Sequence, residues 1–376
     1  MYHLTRSQLL EDLHTAFQDA KRHKSKKAYV QKFERHLEEN LQELCDELWN
    51  KTYRPRPSSC FIITDPKKRE VFAAAFRDRV VHHLYYNYTH ELFERTFIQD
   101  AYSCIPGRGT HYGIGRLQQH IRQESRNYSR RCYVLKMDIR GYFMHIDRER
   151  LLKICLDTLR RMATHRVLKR VPVTWQDRID LDFVKYLTRE IVLLDPTANC
   201  HIVGQPDEWR DLPHDKSLFC SPSGCGLPIG NLTSQLYSNI YLNVLDQYMK
   251  RTLHCRHYGR YVDDFYVVSA DRTWLHSLVT PVRAFLWHEL GLTLHDGKDA
   301  VWPIQFGVSF LGMFLKPWRM TVNRDSIQRM TQKKDVLFRD LQLGYSPISR
   351  VAAALASFRG ILSHGYNMRN VCEFEI

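Results

Sequence analysis

No apolar run in the 376 residues is long enough to cross a bilayer, which argues against an integral membrane protein. The opening MYHLTRSQLLEDLHTAF has no short apolar core of the kind a secretory signal needs. It reads instead as an amphipathic helix with Thr5 and Gln8 spaced as a capping box, so a cytoplasmic protein is expected. Cys-x-x-Cys spacing is absent from the ten cysteines, and the nearest pair, Cys220 and Cys225, lacks well-spaced partners for zinc. Reduced thiols are expected. There is no internal repeat and no low-complexity tract. Acidic residues are in deficit: 41 Asp and Glu against 55 Lys and Arg give a net charge of +14 and a pI near 9.3. A polyanion is the economical partner for such a chain, and aromatics at 12%, interleaved with Arg and Lys, suit a surface that stacks bases and tracks phosphates. At this length the chain can bury a substantial core and divide into two or three subdomains.

Within RYVDDFYVVS, Asp263 and Asp264 sit among β-formers: Tyr258, Tyr261 and Val262 precede them, and Phe265 through Val268 follow. The pattern predicts a tight turn between two strands with the acid pair inside it. Adjacent ionised carboxylates repel, so a cation between them is expected unless the pair is simply a solvated turn. A third carboxylate, Asp138, ends the apolar run CYVLKMD. Hard oxygen ligands suit magnesium, and a pair of such ions can clamp both the attacking and the leaving oxygen of a phosphoryl displacement. The three acids therefore read as a nucleotidyl-transfer site that joins a 3′-hydroxyl to a nucleoside triphosphate. Phe143 follows in KMDIRGYFMHID, and GLPIGNLTSQLYSNIYLNVLDQ opens on a glycine-rich turn before running on as a helix.

The ordered series KMDIRGYF, GLPIGNLTSQ, RYVDD, LHDGK and GVSFLG resembles the motif series of reverse transcriptases, over most of the chain from about Pro57 onward. Within that superfamily it is similar to the reverse transcriptases of bacterial diversity-generating retroelements, in the group II intron-like branch. Ile229, Gly230, Asn231, Leu232, Thr233, Ser234 and Gln235 carry this likeness, where retroviral enzymes usually have a glutamine before the glycine and a proline after the serine. The segments REVFAAAFRDRVVHH and AYSCIPGRGTH resemble finger segments of the same family. The resemblance implies an α/β fold: a right-hand polymerase with fingers, a ferredoxin-like βαββ palm and a short helical thumb.

On that frame, 1–56 is a helical N-terminal extension in which Phe33 through Leu37, Leu41, Leu44 and Leu48 recur at helical spacing, ending before Pro55 and Pro57. Residues 57–130 form the fingers, with a strand at FIIT and a turn at Pro66. The palm starts with 131–159 and resumes at 224–315. Between them, 160–223 holds a helix and an ordered insertion whose function the residues do not reveal. A helical thumb, 316–376, is read from RDSIQRMTQKKDVLFRDLQ and VAAALASFRGILSHG, with no nuclease domain expected behind it.

The resemblance also implies roles. Asp138 and Asp263 ligate metal directly, Asp264 is the second or weaker ligand, and Ile139 adds a backbone carbonyl. Two Mg2+ ions are implied, with Mn2+ as the alternative. Asp147, just before a helical run, reads as an N-cap. Phe143 holds the position that stacks beneath the incoming sugar and leaves no room for a 2′-hydroxyl, so deoxynucleotides are expected, although an aromatic there also suits a core. Lys67, Lys68 and Arg69 meet the triphosphate, and which lysine points inward is open. Gly226 and Gly230 let backbone approach the base pair closely. Ser234 and Gln235 start a helix whose Leu236, Ile240 and Val244 form one apolar stripe, and they offer its polar start to the template; Gln235 fits a plain surface position equally. Lys298 matches the position proposed to protonate departing pyrophosphate, or else an exposed turn. Phe310, Leu311 and Gly312 resemble the primer grip, or an ordinary apolar hairpin.

The implied function is error-prone cDNA synthesis from a template-repeat RNA, for mutagenic retrohoming, using template RNA, a DNA or RNA primer and dNTPs. Ile229 cannot supply the amide hydrogen bond of a glutamine, and losing about 1 kcal/mol changes discrimination several-fold. Relaxed fidelity opposite template adenine is expected. A small pentameric basic accessory variability protein is the implied partner, and no membrane is expected. A phage-defence or intron-like bacterial reverse transcriptase is the nearest alternative. An RNA polymerase is opposed by Phe143, and a basic RNA-binding scaffold with a decayed site is opposed by the three acids.

Overall fold

A computed structural model describes residues 2–65, 67–168, 171–297 and 299–365. In chain order the elements begin with α1 (Arg6–Lys21), α2 (Ala28–Glu34), α3 (Leu37–Trp49), β1 (Ser58–Ile63), β2 (Arg69–Ala73), α4 (Phe76–Glu94) and α5 (Thr110–Glu124). Next come β3 (Tyr133–Asp138), α6 (Arg148–Met162), α7 (Leu181–Val192), β4 (Cys200–Ile202), α8 (Leu232–Gln247), β5 (His257–Tyr261) and β6 (Asp264–Ser269). The series ends with α9 (Arg272–Ser277), α10 (Val279–Leu290), β7 (Val301–Pro303), β8 (Val308–Phe310), β9 (Met313–Lys316), β10 (Arg319–Val322), α11 (Arg324–Gln342) and α12 (Ile348–Ser363). The fold is mixed α/β, and no helix among the described residues is long and apolar enough to cross a membrane.

Two compact units share the chain, each assembled from non-adjacent segments. The first comprises Met1–Gln99, Ile139–Leu253 and Val282–Leu294; the second comprises Asp100–Asp138, His254–Pro281 and His295–Ile376. These units and the fingers, palm and thumb expected from sequence are different divisions of the chain.

In the first unit, Leu9, Leu13 and Phe17 of α1 are fully buried, each such side chain contributing about 2 kcal/mol, and α1 packs on α4. Thr5 caps α1 by accepting the Gln8 amide N–H at 3.2 Å. The reciprocal half of the expected capping box is not made, because the Gln8 side chain donates to Asp12 one turn on. The apolar repeat from Phe33 to Leu48 is split between α2 and α3 by a break at Arg35 and His36. A three-stranded sheet has the order β2-β1-β4, with β1 antiparallel to β2 and parallel to β4. Asp147 caps α6 through the Arg150 N–H at 2.9 Å. Helix α8 departs from the single stripe expected of it. Its N-cap is Asn231, so it starts ahead of Ser234, and Thr233, Ser234, Ser238, Asn239 and Asp246 are buried along with its apolar residues.

The second unit is built on a four-stranded antiparallel sheet ordered β5-β6-β3-β7. Strand β3 is buried on both faces, with Val134, Leu135 and Met137 all inaccessible, which is why CYVLKMD reads as a near-continuous apolar run rather than an alternation. A second antiparallel sheet, β10-β9-β8, shares a core with α5, α11 and α12 through residues such as Ile114, Phe310, Met330 and Leu355. Strands β9 and β10 pair where a helical thumb is expected to begin, and residue 316, the expected start of that thumb, is the last residue of β9.

Candidate active site

Strands β3 and β6 run antiparallel in a register that sets Asp138 directly across from Asp264. The hairpin joining β5 to β6 is closed by the pair Tyr261 and Asp264, leaving Val262 and Asp263 as its two-residue loop, so of the acid pair expected inside the turn only Asp263 lies there, and Asp264 is the first residue of β6. Of these two, only Val262 has a positive φ, 55°. Positive φ at the first loop residue is what a type II′ hairpin turn needs, and glycine usually supplies it. Here a β-branched residue is held in that conformation. Arg260, 1% exposed, donates from Nη1 to the Val262 carbonyl at 3.0 Å and so braces the turn from within.

Period-two alternation puts Lys136 on the face of β3 that carries Asp138, and Tyr266 on the face of β6 that carries Asp264. Lys136 Nζ lies 3.5 Å from Asp264 Oδ1 and 5.8 Å from the centre of the Phe310 ring. Phe310 also packs edge-on against Tyr266, with ring centres 5.1 Å apart. Beyond Phe310, Leu311 (φ 48°) and Gly312 (φ 85°) form the tight loop that joins β8 to β9, two successive left-handed residues as a type I′ turn requires. Asp138 and Asp264 thus share a sheet face on which Phe310 packs through Lys136 and Tyr266, while Asp263, Leu311 and Gly312 lie in the two hairpin loops of the same unit.

A buried polar network continues from Tyr266 of that face. The hydroxyls of Tyr102 and Tyr266 are 2.8 Å apart, His120 Nδ1 is 3.1 Å from the Tyr266 hydroxyl, and Tyr102 donates to Asp100 at 3.1 Å. Arg116 Nε donates to the same Asp100 oxygen at 2.7 Å. Burial pushes the Tyr102 and Tyr266 phenols well up from their ordinary range, so both remain protonated at neutral pH. Gly259 leaves room for the two hydroxyls, because a Cβ there would collide with both.

The other expected residues that are described belong to the first unit. Phe143 and Ile229 pack against the buried Cys60, Phe72, Met144 and Leu218. The Phe143 carbonyl accepts from Leu227 N–H at 2.8 Å, and the Ile229 carbonyl accepts from Phe72 N–H at 3.0 Å. Gly230 (φ 123°) passes so close to β2 that a Cβ would come within 2.8 Å of Val71. Lys67 and Arg69 are exposed at the start of β2, whereas Lys68 donates its ammonium to the Arg210 carbonyl. Ser234 is 3% exposed and turned into the core, while Gln235 beside it is exposed. Ile139 is buried and bridges to Leu294, and the two hydrogen bonds of that bridge run through Asp138 and Arg140 rather than through the Ile139 carbonyl. Lys298 lies outside the described residues.

Asp138 and Asp264 are like charges directly opposite on neighbouring strands, an arrangement that is destabilising without a cation, and Lys136 supplies one positive charge. With Asp263 in the adjoining loop, the donors are hard carboxylate oxygens of the kind magnesium takes, so the residues fit a divalent ion in chemistry. Among the described residues no group of three or more His, Cys, Asp or Glu side chains is arranged to hold a metal ion. Lys136 and Arg260 were both missed in the sequence. Lys136 was legible as the residue two before Asp138, and Arg260 as a charge inside an otherwise apolar strand.

No protein-family model matches the chain. It is 24% identical to Protein YkfC of Escherichia coli (strain K12) over 306 residues, which cover 72% of this chain and 70% of that protein. Its structure is similar to apo telomerase from Candida tropicalis, with a TM-score of 0.49 and 10% identity, over 85% of this chain and 56% of the other. It is similar also to telomerase from Candida albicans in complex with a TWJ fragment of telomeric RNA, with a TM-score of 0.45 and 10% identity, over 72% and 46% of the two chains. The chain spans about half the length of these telomerase chains. Likeness at this level assigns neither a family nor an activity.

Proposed function

We propose that the protein is an RNA-directed DNA polymerase whose reaction centre is the end of the β3–β6 pair. The observation that carries this reading is the register that sets Asp138 opposite Asp264, with Asp263 in the adjoining two-residue loop. The strand order β5-β6-β3-β7 is that of a βαββαβ unit and supports reading this sheet as a polymerase palm.

Asp138, Asp263 and Asp264 would hold Mg2+ or Mn2+, which when bound stabilises the charge that develops on the attacking and leaving oxygens. Lys136 offsets the like charge of the facing acids, and Arg260 fixes the loop that carries Asp263. Phe310 through Gly312 would hold the primer end. Phe143 would exclude a 2′-hydroxyl from the sugar position. Arg69 and Lys67 would bind the triphosphate, and Lys298 would give a proton to the departing pyrophosphate. Ile229, Gly230 and Gln235 would meet the base pair and the template. The buried Ser234 would act by supporting that loop rather than by touching nucleic acid.

The finer reading is error-prone cDNA synthesis for a diversity-generating retroelement, with a pentameric basic accessory protein as partner, and it rests on the likeness of IGNLTSQ. Primer extension on an RNA template with dNTPs and Mg2+ tests the activity. The expected result is DNA synthesis by the wild type, little synthesis with NTPs, and none by Asp138→Asn or Asp263→Asn. Undiminished synthesis by either variant would overturn the proposal.

A further inference from the structure

Residues 199–220 take no part in the roles given above, yet they are fastened into the first unit at several points. Strand β4 extends the β1–β2 sheet through the pairs Ser58 with Cys200, Ser59 with His201 and Cys60 with Ile202. Glu70, one residue beyond Arg69, is 1% exposed, and its carboxylate accepts three hydrogen bonds from this one segment. The donors are Trp209 Nε1 at 2.8 Å, Ser217 Oγ at 3.0 Å and the Leu218 N–H at 2.6 Å. A buried carboxylate is costly unless its partners are held in place, so the three donors and the acid fix one another.

What this device sets is the position of Leu218. That side chain, 5% exposed, completes the cluster on which Phe143 and Ile229 rest, and it fills the space that a Cβ on Gly226 would need. A cavity of about 270 Å³ nearby is lined from both sides, by Arg140, Met144 and His145 and by His214, Asp215 and Cys220 of the segment. Asp215 is ion-paired to Arg140 at 3.5 Å.

We infer that Leu218 is a specificity-determining residue of a nucleoside-triphosphate pocket and that Glu70 is its positioning residue, so that segment 199–220 is a wall of the pocket beside Phe143 and Ile229. The inference rests on the polymerase reading of that pocket. The Leu218 side chain carries no hydrogen-bonding group and so can act on a base by shape alone, which limits how strongly a mispaired base is rejected.

Single-nucleotide insertion on an RNA template tests it, with KM, kcat and the ratio of matched to mismatched insertion measured for the wild type, Leu218→Ala, Leu218→Met and Glu70→Gln. Leu218→Ala should raise KM for dNTP about ten-fold, alter kcat far less and increase mismatched insertion. Glu70→Gln should shift the same quantities in the same direction, and Leu218→Met should restore values near wild type. An unchanged KM and mismatch ratio, or a loss confined to kcat, would reduce Leu218 to packing and overturn the inference. Should Leu218→Ala not fold, Leu218→Val carries the same comparison. Absence of any extension by the wild type would instead overturn the polymerase reading itself.

Discussion

Val262 adopts a backbone conformation that a β-branched residue holds at a cost of order 1–3 kcal/mol. The strain persists because the Tyr261–Asp264 pair closes the loop and Arg260 holds the Val262 carbonyl. Glycine would remove the steric part, while its greater freedom in the unfolded chain costs about 0.5–1 kcal/mol. Val262→Gly should therefore stabilise the protein by about 1 kcal/mol, seen as a higher urea midpoint, and should slow primer extension because the loop carrying Asp263 is less defined. A lower midpoint would mean that the valine methyls stabilise more than the turn strains. Ile229 offers a change of a different kind. Its carbonyl is tied to Phe72, so Ile229→Gln alters the side chain without freeing the loop. Misincorporation opposite template adenine should fall several-fold, consistent with a gain of about 1 kcal/mol in discrimination. Sequenced cDNA with an unchanged error spectrum would remove this position from the explanation.

Helices α4 and α8 meet through a buried histidine. His82 of α4 places Nδ1 3.3 Å from the Thr233 hydroxyl in the first turn of α8, and burial, with smaller contributions from His83 and Arg79, lowers its pKa to about 3. The folded value lies below the unfolded one, so as pH falls below about 6.5 the unfolded chain takes up the proton first. This contribution is complete above pH 6.5 and is lost, at about 1.4 kcal/mol per pH unit, down to the folded pKa. Between pH 6.5 and 5 it amounts to about 2 kcal/mol, and His82→Gln should flatten that part of a stability profile measured by urea unfolding. An identical slope in the variant would place the acid sensitivity elsewhere. What sequence revealed at this scale was local. The Asp147 cap, the strand ending at Asp138 and the existence of a hairpin at the acid pair have signals within a few residues of themselves, although the loop is Val262–Asp263, one residue earlier than expected. The burial of Ser234 and Asn239 in α8 was not legible, because a polar side chain does not announce its distant partner. Glu70 shows the same limit, since its three partners lie 139 to 148 positions further along the chain. The β9–β10 pairing was hidden by its brevity, with only four residues in each strand.

Across the whole molecule, an excess of 55 basic over 41 acidic residues produces a field that any polyanion would feel. A charge excess alone does not make a binding site, and two arrangements predict different behaviour. If basic side chains are gathered along a nucleic-acid track, binding releases condensed counterions, and contact with about six phosphates lowers affinity roughly 10³-fold between 50 and 200 mM salt. If they are scattered, the dependence is shallow. The acids at the end of β3 and β6 contribute nothing favourable to phosphate binding in the absence of divalent cations. Asp263→Asn should therefore bind an RNA–DNA duplex, in EDTA, with the affinity and salt slope of the wild type while making no product when Mg2+ is supplied. Fluorescence anisotropy across a salt series, paired with extension assays, measures both. A steep slope shared by the two proteins, with synthesis only by the wild type, separates the track from the reaction centre. A slope near zero in the wild type would remove nucleic acid as the reason for the positive charge, and with it the compositional argument for a polymerase.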